Sequence, residues 1–410
     1  MSQTFSGTLH LSSSSVPATA VPLTLVMWTN NAGGQGRRLF QLNGGSNSET
    51  NCFGILLDVT SASNKLCAYR SSSGGANQAL TSAITTSTWQ HYGAVFASTS
   101  SAASYLNGTV KGTSGTTVSP AAMAALLVSG RPSDFAFGIG GQAAHMAAWA
   151  RALSDAEMAY LGGGGNPRAI KGVVSYWKLA TVGGVAETPV ADQIGSNDLT
   201  PSATIGAGTS DPSIETFMTG TTIPTQNYTV GVAISSINLG TSGTLPLFDE
   251  VTAAYTATLK QLGSATAATT TSSAGTAVRE IAVVSVASIT VNGYIKVTSG
   301  GTPTRVLATN ATANTILVAA DQTYSSGAQI YTLPVNSLTV SGLSISSNVF
   351  SGTPVANATN ALCFFRATNN TVSTAVADTN LFTMNITGGG GGTGGMMLPA
   401  GIFSGGFVGG

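Results

Sequence analysis

The stretch 145–179, HMAAWARALSDAEMAYLGGGGNPRAIKGVVSYWKL, constrains the fold more than any other part of the chain. It runs from a strand into one short helix, a glycine stop and a returning strand. From 145 to 153 the residues alternate, with Met146, Ala148 and Ala150 on one face and Ala147, Trp149 and Arg151 on the other, which is strand periodicity. Ser154 and Glu157 have the spacing of a capping box, in which hydroxyl and carboxylate each satisfy an orphan backbone N–H of the first helical turn. Asp155 and Glu157 also suit the positive end of the helix dipole. Met158, Leu161 and Tyr160 form the apolar side. The glycines at 162–165 end the helix, because glycine takes the left-handed cap without a Cβ clash. The strand at 173–179 then carries Tyr176 and Trp177.

Upstream, strands are expected at 4–11, 23–28, 38–42, 52–59, 65–70, 87–97 and 134–141, with turn residues between them that suit antiparallel meanders. In 87–97, Trp89, His91, Gly93 and Val95 alternate with Tyr92, Ala94 and Phe96. Asn107-Gly108 supplies the two positive φ angles of a type I′ hairpin turn.

Taken together, residues 1–215 resemble the concanavalin A-like, laminin-G-like jelly-roll domains of bacterial and phage surface proteins. The matching residues are Pro22, Thr24 and Trp28; Trp89, His91 and Phe96; and Tyr105, Asn107 and Gly108. Further on they are Arg151, Leu153, Ser154, Asp155 and Glu157, then Val174, Tyr176, Trp177 and Leu179. A closing run, Asp192, Gly195, Asn197, Asp198, Leu199 and Thr200, resembles the tail that follows the tryptophan strand in relatives. The resemblance implies fold-defining roles for Trp89, His91, Asn107, Gly108, Ser154, Glu157 and Trp177. It identifies a fold and leaves the ligand open.

A second β unit opens near Ile223. The extended segment 223–231, the turn Ser351-Gly352-Thr353-Pro354 and strands at 362–367 and 381–386, Phe382 included, resemble immunoglobulin-like repeats. This gives one domain from 216–275 and 334–387, with 251–262 open between helix and strand. Residues 276–333 read as a β-rich insertion or a third domain, with Asn292-Gly293 as a hairpin signal. A unit of about 60 residues is marginal on its own. The expected fold class is therefore all-β: a concanavalin A-like jelly-roll sandwich with one short helix, then an immunoglobulin-like β-sandwich with a β-insertion. A glycine-rich tail, 388–410, follows. It carries Met396, Met397, Leu398, Ile402, Phe403, Phe407 and Val408. Such an apolar end either folds onto its own domain or docks into a groove or between strands of a neighbour.

Only 7% of residues are charged, against roughly a quarter in an average soluble protein. Fifteen basic and fifteen acidic residues cancel, so no nucleic acid is expected as a partner. The longest apolar run, 121–128, falls short of the roughly 18 residues of a membrane span, and no membrane partner is expected. No secretory signal is expected at the start of the sequence. Near-zero net charge removes the repulsion that keeps free monomers apart and suits an assembly.

Three cysteines argue against a disulfide framework. Cys67 is expected opposite about Leu57, which leaves Cys52 out of register for a bridge. His10, His91 and His145 lack metal-ligand spacing. Glu49, Asp58 and Glu187 stand alone where a glycosidase needs a pair of carboxylates. There is no G-x-S-x-G elbow. The glycines at 162–165 follow a helix, whereas a phosphate cradle precedes one. No enzyme activity and no cofactor are expected. Calcium at one rim of the sandwich, which relatives of this fold bind, would have to be built from separate loops, such as Asp134 with backbone carbonyls. For a sugar, the loops 30–36 and 44–51 offer asparagines, and Tyr69 with Arg70 is the candidate platform, although loop asparagines and glycines are first of all turn formers.

The expected role is a non-enzymatic structural protein of a phage particle, a head decoration or fibre, located on the virion surface. Its partners would be other virion proteins and copies of itself. The alternative is a glycan-binding adhesion module that reads host-surface glycans.

Overall fold

The computed structural model describes residues 2–388 except 35, 46–49, 59–63, 74, 180, 183–184, 187, 213, 215–222, 240–254 and 371–375. The apolar tail residues Met396, Met397, Leu398, Ile402, Phe403, Phe407 and Val408 lie outside the described residues, as do Glu49 and Glu187.

Among the described residues the chain is nearly all β, with one α-helix, Asp155–Gly162, and one 3-10 turn, Pro167–Ala169. The first module is two sheets face to face. Leu23–Asn31, Trp89–Ser98 and Gly141–Trp149 lie at the centre of the larger one; Arg38–Asn43, Cys52–Leu57 and Lys65–Ser72 belong to a seven-stranded partner. The opening strand Gln3–Phe5 pairs antiparallel with Gly141–Trp149 on one side and with Gly206–Ala207 on the other, so the exit segment closes beside the entry. The alternation read at 145–153 is kept only over 146–149: the strand ends at Trp149, and Ala150 is exposed instead of facing the core. Met146 and Ala148 face the core between the sheets, with Phe40, Phe53, Phe96 and Trp177. Ala147 and Trp149 face outward, under the helix.

The second module is also a sandwich. In its larger sheet Gln226–Thr229 runs parallel to Phe382–Thr387, followed in order by Ala358–Asn369, Tyr255–Leu262 and Val335–Ser337. A three-stranded sheet of Ile237–Asn238, Val349–Gly352 and Leu343–Ser346 faces it across Leu259, Phe350, Phe365, Phe382 and Met384. The segment open between helix and strand is a strand from Tyr255. The turn expected at Ser351–Pro354 is not one: Ser351 and Gly352 end the strand Val349–Gly352, and Thr353 N donates across the ladder to Gly342 O at 2.9 Å.

The third module is one six-stranded sheet packed on Ile281, Ile295, Val306, Ile316, Val318 and Ile330. The sequence division at 276 falls inside this sheet, whose first strand, Thr266–Thr270, pairs with Gln329–Leu333. Its strands Thr304–Asn310 and Thr315–Tyr324 lie over the helix of the first module. Leu307, Ala308 and Leu317 join the cluster of Met158, Tyr160 and Leu161. At the edge of this contact Asp321 accepts from Lys171 at 2.5 Å and from Arg279 at 3.0 Å, and Arg279 Nη1 donates to Ala169 O at 2.9 Å. The helix is thus covered from both sides, and Ala156, Glu157, Met158, Tyr160 and Leu161 are all buried.

Candidate functional site

The motif residues build a lock between helix and sheet. Ser154 Oγ accepts from Glu157 N, and the Glu157 carboxylate accepts from Ser154 N at 2.9 Å, completing the capping box. Arg151 clamps the same carboxylate through two nitrogens at 2.8 and 2.6 Å. Such a bidentate pair adds geometric specificity as well as energy. Tyr105 and Lys111, on the two strands of one hairpin, both donate to Asp155 Oδ1, at 2.5 and 2.7 Å. Asn107 and Gly108 have φ of 51° and 73°, as a type I′ turn requires. The Asn107 side chain accepts from His91 N at 3.0 Å and its own N–H donates to His91 O at 2.8 Å. His91 sits edge-on to Trp28, and burial pushes its imidazole down to about 3. It therefore stays neutral as a packed residue. Trp89 Nε1 donates to Ser210 Oγ at 2.9 Å, pinning the exit segment.

Trp177 is fully buried and donates to Asn197 O at 2.8 Å. The loop that receives it is organised by Asp192, which accepts from the backbone N–H of Tyr176, Ile194, Gly195 and Asn197 at 2.9–3.1 Å. Burial raises the Asp192 pKa, but the Ser175 hydroxyl and these N–H groups outweigh it, and the carboxyl ends below its ordinary range. Trp89, Asn107, Ser154, Glu157 and Trp177 thus spend their polar side-chain groups on nearby backbone or side chains, whereas the buried His91 Nδ1 has no hydrogen-bond partner among the described residues.

Tyr69 and Arg70 do not form the expected platform. Neighbours along a strand point to opposite faces. Arg70 is 0% exposed and donates to the carbonyls of Ser98, at 3.1 Å, and Thr116. Tyr69 is buried under the Arg38 guanidinium, 5.0 Å from its ring centroid, and burial raises its pKa. Around it Gln41, Asn43, Cys52, Leu56 and Cys67 are buried too, so this face is closed to a ligand. Cys67 stands opposite Leu56 and Cys52 opposite Ser71, one residue from the expected register and equally unsuited to a bridge. In loop 30–36 the Asn31 side chain is also committed. Asn31 donates to Ile139 O at 2.5 Å and accepts from Gly33 N at 2.6 Å.

The exposed chemistry lies in residues 129–140; the strand expected at 134–141 starts only at Gly141, and the residues before it form a loop. Phe135 and Phe137 both take left-handed backbone, φ 55° and 57°, a conformation that costs a residue with a Cβ roughly 1–2 kcal/mol. The loop is held there by several bonds. Arg38 N donates to Phe137 O at 2.7 Å and Arg131 N to Ala136 O at 2.8 Å. Asp134 Oδ1 accepts from Ala136 N at 2.9 Å and from Arg131 Nε at 3.1 Å, and its second oxygen takes Arg131 Nη2. Arg37 Nη1 ties in Gly138 O at 2.7 Å. The Phe135 ring stacks on His10 at 3.8 Å. Phe137 is 49% exposed, with the Arg131 guanidinium 4.7 Å from its ring centroid. One ring face meets a cation, and the ring is otherwise open enough to meet solvent.

Asp134, the candidate calcium ligand, instead closes this loop. Its hydrogen bond with Arg131, then that from Ala136 N, hold its carboxyl below the usual range. Among the described residues no group of three or more His, Cys, Asp or Glu is placed to hold a metal. The signal for the site was the aromatic pair Phe135 and Phe137 between glycines, beside Arg131 and Asp134.

Residues 5–159 match the model of the concanavalin A-like lectin/glucanases superfamily. The first module therefore has the jelly-roll fold that its motifs resemble. Among solved structures, a native heptameric SAP-like pentraxin from Limulus polyphemus is similar at 14% identity, over 50% of this chain and 90% of that one, with a TM-score of 0.36. The CBM40 of a Ruminococcus gnavus IT-sialidase, bound to α2,3-sialyllactose, is similar at 15% identity, over 36% of this chain and 84% of that one, with a TM-score of 0.30. Domain 4 of an extracellular arabinanase from Geobacillus stearothermophilus, in complex with arabinotriose, is similar at 14% identity over 35% and 68%, with a TM-score of 0.30. No curated protein matches the chain.

Proposed function

We propose that this chain is a non-enzymatic carbohydrate-binding protein whose first module takes a sugar at the 129–140 rim. The observation that carries the reading is Phe137, an aromatic ring kept half exposed on left-handed backbone against Arg131. Strained residues persist only where the surroundings over-determine them, and they cluster at ligand clamps. The C–H face of a pyranose stacks on the open side of the ring, and its hydroxyls bond the Arg131–Asp134 pair at the edge. The lectin-type fold of the module supports this chemistry. A glycan array probed with the intact chain tests it: retention of at least one glycan class is expected, and no retention across the array counts against it.

A second reading concerns where the module is used. With 15 basic and 15 acidic residues in 410, the chain suits an assembly better than a free monomer. We infer a structural role on the surface of a phage particle, as a head decoration or fibre, with other virion proteins and copies of itself as partners. The apolar segment from Met396 to Val408 would be its anchor. Removing residues 388–410 should abolish incorporation into particles; unchanged incorporation would remove the anchor.

A further inference from the structure

We propose a second ligand site, independent of the Phe137 rim, in the cleft between the third module and the second sandwich, taking a neutral mono- or disaccharide. The cleft has a volume of about 540 Å³, within the range of small-molecule pockets. Among its lining residues Arg366 alone is charged. That charge is already balanced: Arg366 Nε and Nη2 donate to the two oxygens of Asp378, each at 2.6 Å, and Nη2 also reaches Asn292 O at 2.7 Å. Tyr294 Oη donates to the same carboxylate at 3.1 Å. The pair is largely buried, with side-chain exposures of 11% and 4%. The lining itself therefore offers an anion no cation that is not already paired. What remains is Arg366 Nη1, which bonds none of the described residues and can donate to an uncharged acceptor.

The walls supply the rest of what a sugar needs. Thr266, Ser288, Thr290 and Thr332 carry hydroxyls, each donor and acceptor at once. Val291, 42% exposed, and Pro334 give apolar surface for a ring face. Hydroxyls above apolar carbon, around one oriented donor, match a polyol in which each C–H is followed by an O–H. The cleft is built from two modules, so an occupant would bridge them.

The test is ligand-observed NMR titration of the intact chain with a panel of neutral mono- and disaccharides that includes maltose and lactose, and with glucuronic acid as the anionic counterpart. Val291→Trp and Thr290→Trp each place an indole in the cleft from an exposed position, so the core is untouched. All titrations are made in a Phe137→Ala background, which removes the rim site; saturable binding of a neutral sugar is expected there, at least tenfold weaker once either tryptophan is added. Three results would each overturn the proposal: no neutral sugar binds saturably, binding survives both tryptophans, or only the anionic sugar binds.

Discussion

Gly108, at the tip of a hairpin, and Gly162, at the end of the helix, meet backbone to backbone. A Cβ on Gly108 would lie 3.0 Å from the Gly162 Cα, and one on Gly162 would overlap Asn107 C and Gly108 N. This contact seats the helix on the larger sheet, alongside the Tyr105–Asp155 hydrogen bond. Gly162→Ala should therefore cost about 1–3 kcal/mol, the range for overpacking a tight contact. Gly163→Ala, where a Cβ would meet only Ala159 O at 3.3 Å and Tyr160 O at 3.5 Å, should cost less. Near-UV circular dichroism melts, following the buried Trp149 and Trp177, measure the difference.

Two kinds of contact hold the third module to the helix, and they are unequal. Asp321 and its partners Lys171 and Arg279 are all at least a quarter exposed, and surface ion pairs contribute about 0–1 kcal/mol. Leu307 and Leu317 are 3% and 1% exposed against the helix, and truncating a buried leucine costs about 2–5 kcal/mol. Leu317→Ala should raise amide hydrogen exchange across Met158, Tyr160 and Leu161. Asp321→Asn should leave it near the wild-type level.

His91 makes stability depend on pH. Its folded pKa of about 3 lies below the ordinary 6.5, so between those values the unfolded chain binds the proton and the folded chain does not. Its contribution is complete above pH 6.5 and is lost as pH falls toward 3, with a slope of up to about 1.4 kcal/mol per pH unit. Between pH 6.5 and 5 the loss reaches about 2 kcal/mol. Melting temperatures over that window should fall more steeply for the wild type than for His91→Gln. Parallel slopes would mean that the imidazole is protonated in the folded protein.

Much of the first module is legible in its sequence because its elements rest on local chemistry. The capping box of Ser154 and Glu157, the Asn107-Gly108 turn and the two-sided alternation over 146–149 each need only neighbours within a few residues. What covers a face is not local. The Tyr69–Arg70 pair reads as a platform until Arg38, from a neighbouring region of the sheet, lies over the tyrosine. Asp134 reads as a free acid until Arg131 and the Ala136 N–H claim both of its oxygens. The exposure of Phe137 likewise depends on left-handed backbone that its residue type disfavours, so the aromatic pair between glycines marks the segment without showing which ring stays open. The helix looks one-sided in sequence because the sheet carrying Leu307 and Leu317 arrives more than 140 positions later.

The most direct test of the central claim is the dissociation constant of the glycan best retained on the array, measured by calorimetry for the intact wild-type chain and for Phe137→Ala. The ring is exposed, so its removal should leave the melting temperature within a few degrees and weaken binding at least tenfold. Equal affinity in the two proteins would contradict the account and move the sugar site away from the 129–140 rim.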